Sequence, residues 1–343
     1  MFVIQFIQRL VNKLLSVSIF NIYFFRFMSF KVSLIGAGNI GGTLAHILAR
    51  KSYCSKIVLF DINEGTAKGK ALDILQSGSV FNNGGSVIGT SNYEDIKDSN
   101  VIIITAGIPR KPGMSRDDLL KTNANIIGGV AQNVKKYSPN SFVIVITNPL
   151  DIIVKHFQQV SGMDAKKVVG MAGVLDTARF KCFLAEALGV FAGDITSFVL
   201  GGHGDTMVPM PSCTSIAGVP LKQFIKNGLI SQQAFDAIVK RTRDGGAEIV
   251  SLLGNGSAFY SPAESAVVMA ESYLFNQKRI LPSAAKLNGE YGVKDLYAGV
   301  PCKIGSSGVE QIIEVDLEEA EKSMFANSIA AVKSLDEALK AII

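Results

Sequence analysis

Lys31–Gly42 reads KVSLIGAGNIGG. An apolar run ends in Gly36, and Gly36, Gly38 and Gly41 then follow the G-x-G-x-x-G spacing. Each glycine has a separate job in a strand–turn–helix that carries phosphates. The first permits a tight turn, the second lets the backbone approach a pyrophosphate, and the third lets the helix pack close to its strand. The unpaired N–H groups and dipole at the start of that helix favour an anion. On its own the spacing is weak, so the decision rests on what surrounds it.

The segments beyond this turn alternate in kind. NIGGTLAHILARK has helical periodicity, KIVLFD is a strand ending in Asp61, and AKGKALDILQSG is helical again. VIIITAG is a third strand, NANIIGGVAQNVKKYSP a helix closed by Pro139, and FVIVITNP a fourth strand. Short apolar strands alternating with helices predict a parallel sheet covered on both faces. Asp61 lies about 20 residues past Gly41, where an acid accepts hydrogen bonds from the adenine ribose and repels a 2′-phosphate. The reading is a Rossmann-type, doubly wound α/β domain that takes NAD rather than NADP.

Beyond about residue 172 the pattern changes. LDTARFKCFLAEALGV is a long helix, and SFVLGGHGD is a strand running into a glycine-rich loop. A helical region spans 221–253, GVPCKIGSSGVEQIIEV is strand-like, and a last helix runs from Glu318. Three parts are expected: an extension over 1–27, an NAD-binding domain over 28–172, and a mixed α+β substrate domain over 173–343.

The chain has 343 residues, with 48% apolar and 18% charged side chains, which is globular composition. The net charge is +5, but Arg9, Lys13 and Arg26 lie in residues 1–27, which hold no acid. The remainder is near neutral and has no basic run, so neither a nucleic-acid groove nor a membrane surface is expected as partner. Cys54, Cys182, Cys213 and Cys302 are dispersed, with no CxxC pair and no histidine at metal-ligand spacing. A reducing compartment and no metal are the expectation, with the cytoplasm as location.

Residues 1–27 admit three readings: a signal or anchor, a transit peptide, or translation from an upstream start codon. The apolar stretch from Leu14 to Phe25 is shorter than the roughly 20 residues of a membrane span. Met28 stands directly before the first strand, which favours a native start there and leaves a targeting segment open.

Of the three histidines, His46 falls within the first helix and reads as structural, and His156 follows Pro149 and reads as solvated or packed. His203 lies between glycines in GGHGDTMVP, open to a small ligand and suited to proton exchange near neutral pH. Asp176 and Arg179 stand three apart on one helix face. The acid can hold an imidazole and the guanidinium can grip a carboxylate with two parallel bonds, or the two form only a surface ion pair. GIPRKPGMSRDDLL follows the third strand with Arg110 and Arg116 about a Pro-Gly pair, the composition of a closing lid or of a solvated basic loop. Asn148 in TNPLD ends the fourth strand, in reach of a substrate oxygen or a cofactor.

GAGNIGG, AGIPRKPGMSRDDLL, TNPLD, GMAGVLDTARF and GGHGD, in this order, resemble the lactate/malate dehydrogenase family, and within it the lactate-dehydrogenase-like malate dehydrogenases. The resemblance runs from Met28 to the C-terminus. It implies His203 as acid/base, Asp176 as its orienting partner, and Arg116 as the lid arginine that polarises the carbonyl. It assigns Arg179 and Asn148 to the substrate, and Gly36, Gly38, Asn39, Ile40, Gly41, Asp61, Asn123 and Asn148 to NAD. Arg110 occupies the discriminating position, where an arginine reads a second carboxylate and implies malate and oxaloacetate. The resemblance further implies a homodimer or homotetramer and a place in the tricarboxylic acid cycle. Lactate or another 2-hydroxy acid is the alternative substrate, and a non-catalytic nucleotide-binding or structural protein the distant alternative.

Overall fold

The structure is a computed structural model that describes residues 29–81, 85–109, 115–254 and 256–343. Its centre is one nine-stranded sheet. Six parallel strands form the first part: β1 (Phe30–Ile35), β2 (Cys54–Phe60), β3 (Ser86–Thr90), β4 (Val101–Ile104), β5 (Phe142–Val145) and β6 (Val168–Gly170). They lie in the order β3-β2-β1-β4-β5-β6. The order reverses between β1 and β4, and a crevice at the carboxyl ends of strands follows from that reversal. Val32 pairs Ile57 on one side and Val101 on the other.

Helices α1 (Asn39–Ala49), α2 (Glu64–Val80), α3 (Arg116–Tyr137), α4 (Leu150–Ser161) and α5 (Gly173–Leu188) make the connections. β4 and β5 are wholly buried, as expected of strands covered on both faces. α3 begins with a capping box: Asp118 N–H donates to Ser115 Oγ at 3.0 Å, and the Asp118 carboxylate accepts the Ser115 N–H at 3.3 Å.

Five two-residue strands come next: β7 (Ile195–Thr196), β8 (Val199–Leu200), β9 (Val208–Pro209), β10 (Ser215–Ile216) and β11 (Val219–Pro220). Then come α6 (Leu221–Lys226), α7 (Gln232–Leu253), α8 (Tyr260–Leu274), β12 (Arg279–Asn288), β13 (Lys294–Gly305), β14 (Gly308–Ile312) and α9 (Glu319–Ile342). The last three strands do not form a sheet of their own. β12 pairs antiparallel with β6 through Ala284 and Gly170, so one sheet runs across the boundary expected near residue 172.

Besides the two-residue strands, four elements go beyond the sequence reading. β3 is a short edge strand containing glycine, and β6 has only three residues. α8 shows no polar stripe because it is packed on most sides, from Pro262 and Ala263 through Met269, Ala270 and Leu274. β12 carries Pro282 and two alanines in place of a β-branched run. The expected strand through Ser197–Asp205 contracts to Val199–Leu200, and its glycine-rich end becomes a loop. Among the described residues no helix is long and apolar enough to cross a membrane.

Candidate active site

The turn between β1 and α1 is built from close backbone contact. Gly36 has φ +113°, and a Cβ there would lie 2.6 Å from Thr105 Oγ1. A Cβ on Gly41 would lie 1.9 Å from the Gly36 carbonyl oxygen, so only glycine lets α1 start this close to the turn. Gly38 differs: its Cβ would meet nothing within 4 Å. Gly38 is also the N-cap of α1 and supplies no side chain to the first N–H groups, those of Asn39, Ile40 and Gly41. Open space over uncapped amides is a cradle of the right kind for a pyrophosphate.

Asp61 stands over this turn at the end of β2. Its Oδ2 accepts the Ala37 N–H at 2.7 Å and its Oδ1 the Asn63 N–H at 2.9 Å. Each oxygen keeps a lone pair, so the carboxylate can still take ribose hydroxyls. Lys70 of α2 went unassigned in the sequence. Its Nζ donates to the Ala37 and Gly38 carbonyls at 2.8 and 2.9 Å and closes the turn from the other side.

Asn123 is buried in α3. It accepts the Ile108 N–H at 2.8 Å and donates to the Ile108 and Asn148 carbonyls at 3.2 and 2.7 Å. Its amide therefore braces the two loops that rim the crevice. Asn148 is exposed beside it, on the wall of a cavity of about 670 Å³.

Ile40, Asn148, Arg179 and His203 all line that cavity. The His203 ring meets Asp176, with Nδ1 and Oδ2 2.8 Å apart. A carboxylate at Nδ1 fixes the proton there and leaves Nε2 for exchange. Burial alone lowers the imidazole's proton affinity, but the Asp176 charge, its hydrogen bond and the Asp151 charge outweigh it, and the pKa ends above the ordinary 6.5. Asp176 itself is 2% exposed, and Arg179 Nη1 lies 3.3 Å from its other oxygen. This is no surface ion pair. Burial lowers the Arg179 pKa, and among the described residues its Nε has no hydrogen-bond partner, which leaves a donor for an incoming carboxylate.

Arg179 reaches this position past Gly245 and Gly246 in the middle of α7. A Cβ on Gly245 would stand 3.2 Å from Arg179 Cδ. Two glycines inside a long helix cost about 1 kcal/mol each relative to alanine. That local cost was the signal in the sequence that something packs there.

The His203 loop is held from four directions. Gly201 pairs with Gly299 of β13 through two backbone bonds, at 2.8 and 2.9 Å. The Gly202 N–H donates to Ser328 Oγ of α9 at 2.8 Å, and the His203 N–H to Asp151 Oδ2 of α4 at 2.8 Å. Arg243 Nε of α7 donates to the Met207 carbonyl at 2.9 Å. None of these anchors stands out in the sequence, because each is far away along the chain.

Of the other histidines, His46 is exposed on α1, and His156 is buried on α4 with its pKa lowered by burial. All four cysteines are free, and burial pushes the Cys54 and Cys302 thiols up to about 12. Arg110 lies outside the described residues, as does the side chain of Arg116, whose backbone opens α3.

Two family models divide the chain between them. Residues 30–170 match the lactate/malate dehydrogenase NAD binding domain, and residues 173–342 match the lactate/malate dehydrogenase alpha/beta C-terminal domain. The chain belongs to the lactate/malate dehydrogenase family. Within that family it is 59% identical to the malate dehydrogenase of Pelagibacter ubique (strain HTCC1062), over 91% of this chain and 98% of that one. The crystal structure of Cryptosporidium parvum malate dehydrogenase matches with TM-score 0.89 and 48% identity, covering 92% of this chain and all of that one. The lactate dehydrogenase of the same organism, solved with lactic acid and β-nicotinamide adenine dinucleotide, matches with TM-score 0.88 and 49% identity, covering 90% and 98%. These two solved structures match almost equally well, whereas the higher identity, 59%, is to the Pelagibacter ubique malate dehydrogenase. The NAD-binding domain agrees with the glycine cradle and Asp61, and NAD is the cofactor.

Proposed function

We propose that the chain is an NAD-dependent malate dehydrogenase interconverting malate and oxaloacetate. The observation that carries the chemistry is the His203–Asp176–Arg179 constellation, all three side chains within one cavity wall or its buried backing. The choice of malate rests on Arg110 and on the high identity to a malate dehydrogenase. Malate differs from lactate by a charged group. A methylene offers only about 1–3 kcal/mol of discrimination. Enclosing an unpaired arginine beside a methyl group instead costs several kcal/mol, so Arg110 both attracts oxaloacetate and penalises pyruvate.

When bound, the nicotinamide supplies or takes up the hydride. Gly36, Gly38, Asn39, Ile40, Gly41 and Asp61 hold the cofactor, and Asn123 keeps the Asn148 loop in place beside it. Arg179 grips the carboxylate next to the reacting carbon. Protonated His203 gives its proton from Nε2 to the carbonyl oxygen, and Asp176 stabilises the imidazolium before transfer. Arg116 offsets the negative charge that develops on that oxygen. In the reverse direction neutral His203 accepts the hydroxyl proton.

The enzyme is further read as a homo-oligomer. Leu72, Leu75 and Val80, exposed along α2, support self-association. Dispersed thiols without a pairing pattern favour a reducing compartment, and the cytoplasm is the proposed location. A steady-state assay of NADH oxidation with oxaloacetate and pyruvate side by side tests the function. Oxaloacetate should be turned over far faster, and a preference for pyruvate would move the reading to lactate.

A further inference from the structure

Asp151 does more than the sequence motif around it suggests. It sits in the first turn of α4, where an acid ordinarily faces solvent and the helix dipole. Here it is 6% exposed and lines the same cavity as His203. Its Oδ2 accepts the His203 backbone N–H at 2.8 Å. Its Oδ1 is buried and has no partner among the described residues. To hold one N–H, a serine or an asparagine would serve without burying a charge, as Ser328 does for Gly202. A carboxylate with one unpaired oxygen is an unfavourable choice for a mere anchor, and such choices gather where charge has work to do.

We propose that Asp151 is a positioning residue for His203, fixing its backbone from α4 while Asp176 fixes its ring from α5, and adding a second buried negative charge to the same histidine. His203 needs that hold because Gly201, Gly202 and Gly204 give it little local stiffness. Two carboxylates from two helices leave one imidazole orientation.

The surroundings of Asp151 limit what else sets its charge. Burial pushes its carboxyl up to about 6, against the His203 N–H bond and the imidazole's charge, with Asp176 adding to the rise. Arg179 opposes both acids in their effect on His203. From α9 the nearest side chains at Gly202 are Ser328 and Val332, neither charged. Lys155, one turn along α4, is taken up by Asp336 of α9 at 2.9 Å and Asp295 of β13 at 3.8 Å. In its ionised form Asp151 favours the imidazolium.

The proposal rests on His203 being the proton carrier. The test is the His203 ring titration by NMR in the full chain, without substrate, for wild type, Asp151→Asn and Asp151→Ala, together with kcat and KM. Asp151→Asn keeps an acceptor for the His203 N–H and loses the charge. Its His203 pKa should fall by roughly one unit, a tenfold loss of proton affinity, with most of kcat retained at the shifted optimum. Asp151→Ala should lower kcat at least about tenfold with little change in KM. A titration in Asp151→Asn that superimposes on wild type overturns the proposal even if Asp151→Ala does not fold. Because the titration needs no turnover, a wild type that ignored oxaloacetate would sink the malate dehydrogenase reading and leave this result standing.

Discussion

The cofactor turn and the histidine loop are both glycine-rich, both follow a strand, and are built in opposite ways. The turn is made of backbone. Its three glycines lie within six residues, and at Gly36 and Gly41 what matters is where a Cβ cannot go. The loop is made of side chains brought from elsewhere: Asp151 from α4, Asp176 from α5, Arg243 from α7 and Ser328 from α9. A backbone site is sensitive to the addition of one carbon and indifferent to most side-chain chemistry. A side-chain site tolerates bulk at its margins and fails when one functional group is lost.

The sharpest way to break this contrast is at the turn. Gly41→Ala places a carbon 1.9 Å from a carbonyl oxygen and should destabilise the chain by about 3 kcal/mol or more, read as loss of cooperative unfolding at the wild-type midpoint. If Gly41→Ala melts like wild type, the turn is not the rigid contact described. On the other side of the comparison, Arg110→Gln should leave the melting curve alone and reduce the oxaloacetate-to-pyruvate ratio of kcat/KM on the order of 100-fold. An unchanged ratio would remove Arg110 as the reader of the second carboxylate. Gly38→Ala should melt like wild type, because its Cβ meets nothing, yet bind NADH at least about tenfold more weakly in a fluorescence titration. Unaltered affinity would place the pyrophosphate elsewhere.

The smallest effect is in pH. In the proposed mechanism, reduction of oxaloacetate uses protonated His203, whose pKa, despite the cost of burial, is raised by Asp176 and Asp151. The rate should fall as pH rises, with its midpoint above the ordinary 6.5. Malate oxidation, which uses the neutral ring, should rise over the same interval. A reduction midpoint at or below pH 6.5 would mean that the two carboxylates do not support the imidazolium.

The same contrast explains what could be read from the sequence. The parallel half of the fold was legible because β4 and β5 are unbroken apolar runs, β2 ends in one over Ile57–Phe60 and β1 is mostly apolar up to Gly36, and a buried strand announces itself that way. β3 and β12 were not, since a short edge strand and a proline-bearing, alanine-rich strand gain their pairing from neighbours rather than from their own residues. In the site, Gly36, Gly38, Gly41 and Asp61 were legible because their spacing is local. Asp176 and Arg179 were legible because a helix puts residues three apart on one face. Asp151 stands in TNPLD with no visible role there, since only folding brings its carboxylate to His203. Lys70 and Ser328 were hidden for the same reason. The glycine pair of α7 could have been noticed as a local cost without a local reason.

The central claim is that the turn holds the cofactor and the loop moves the proton, each without the other's residues. His203→Asn tests it most directly, with NADH affinity by fluorescence and turnover of oxaloacetate measured on one preparation. Asparagine can still donate to Asp176 and so limits the disturbance. NADH affinity within about twofold of wild type and a kcat lower by roughly 100-fold or more is the result predicted. Wild-type turnover, or a loss of NADH affinity in step with the loss of rate, would contradict the account.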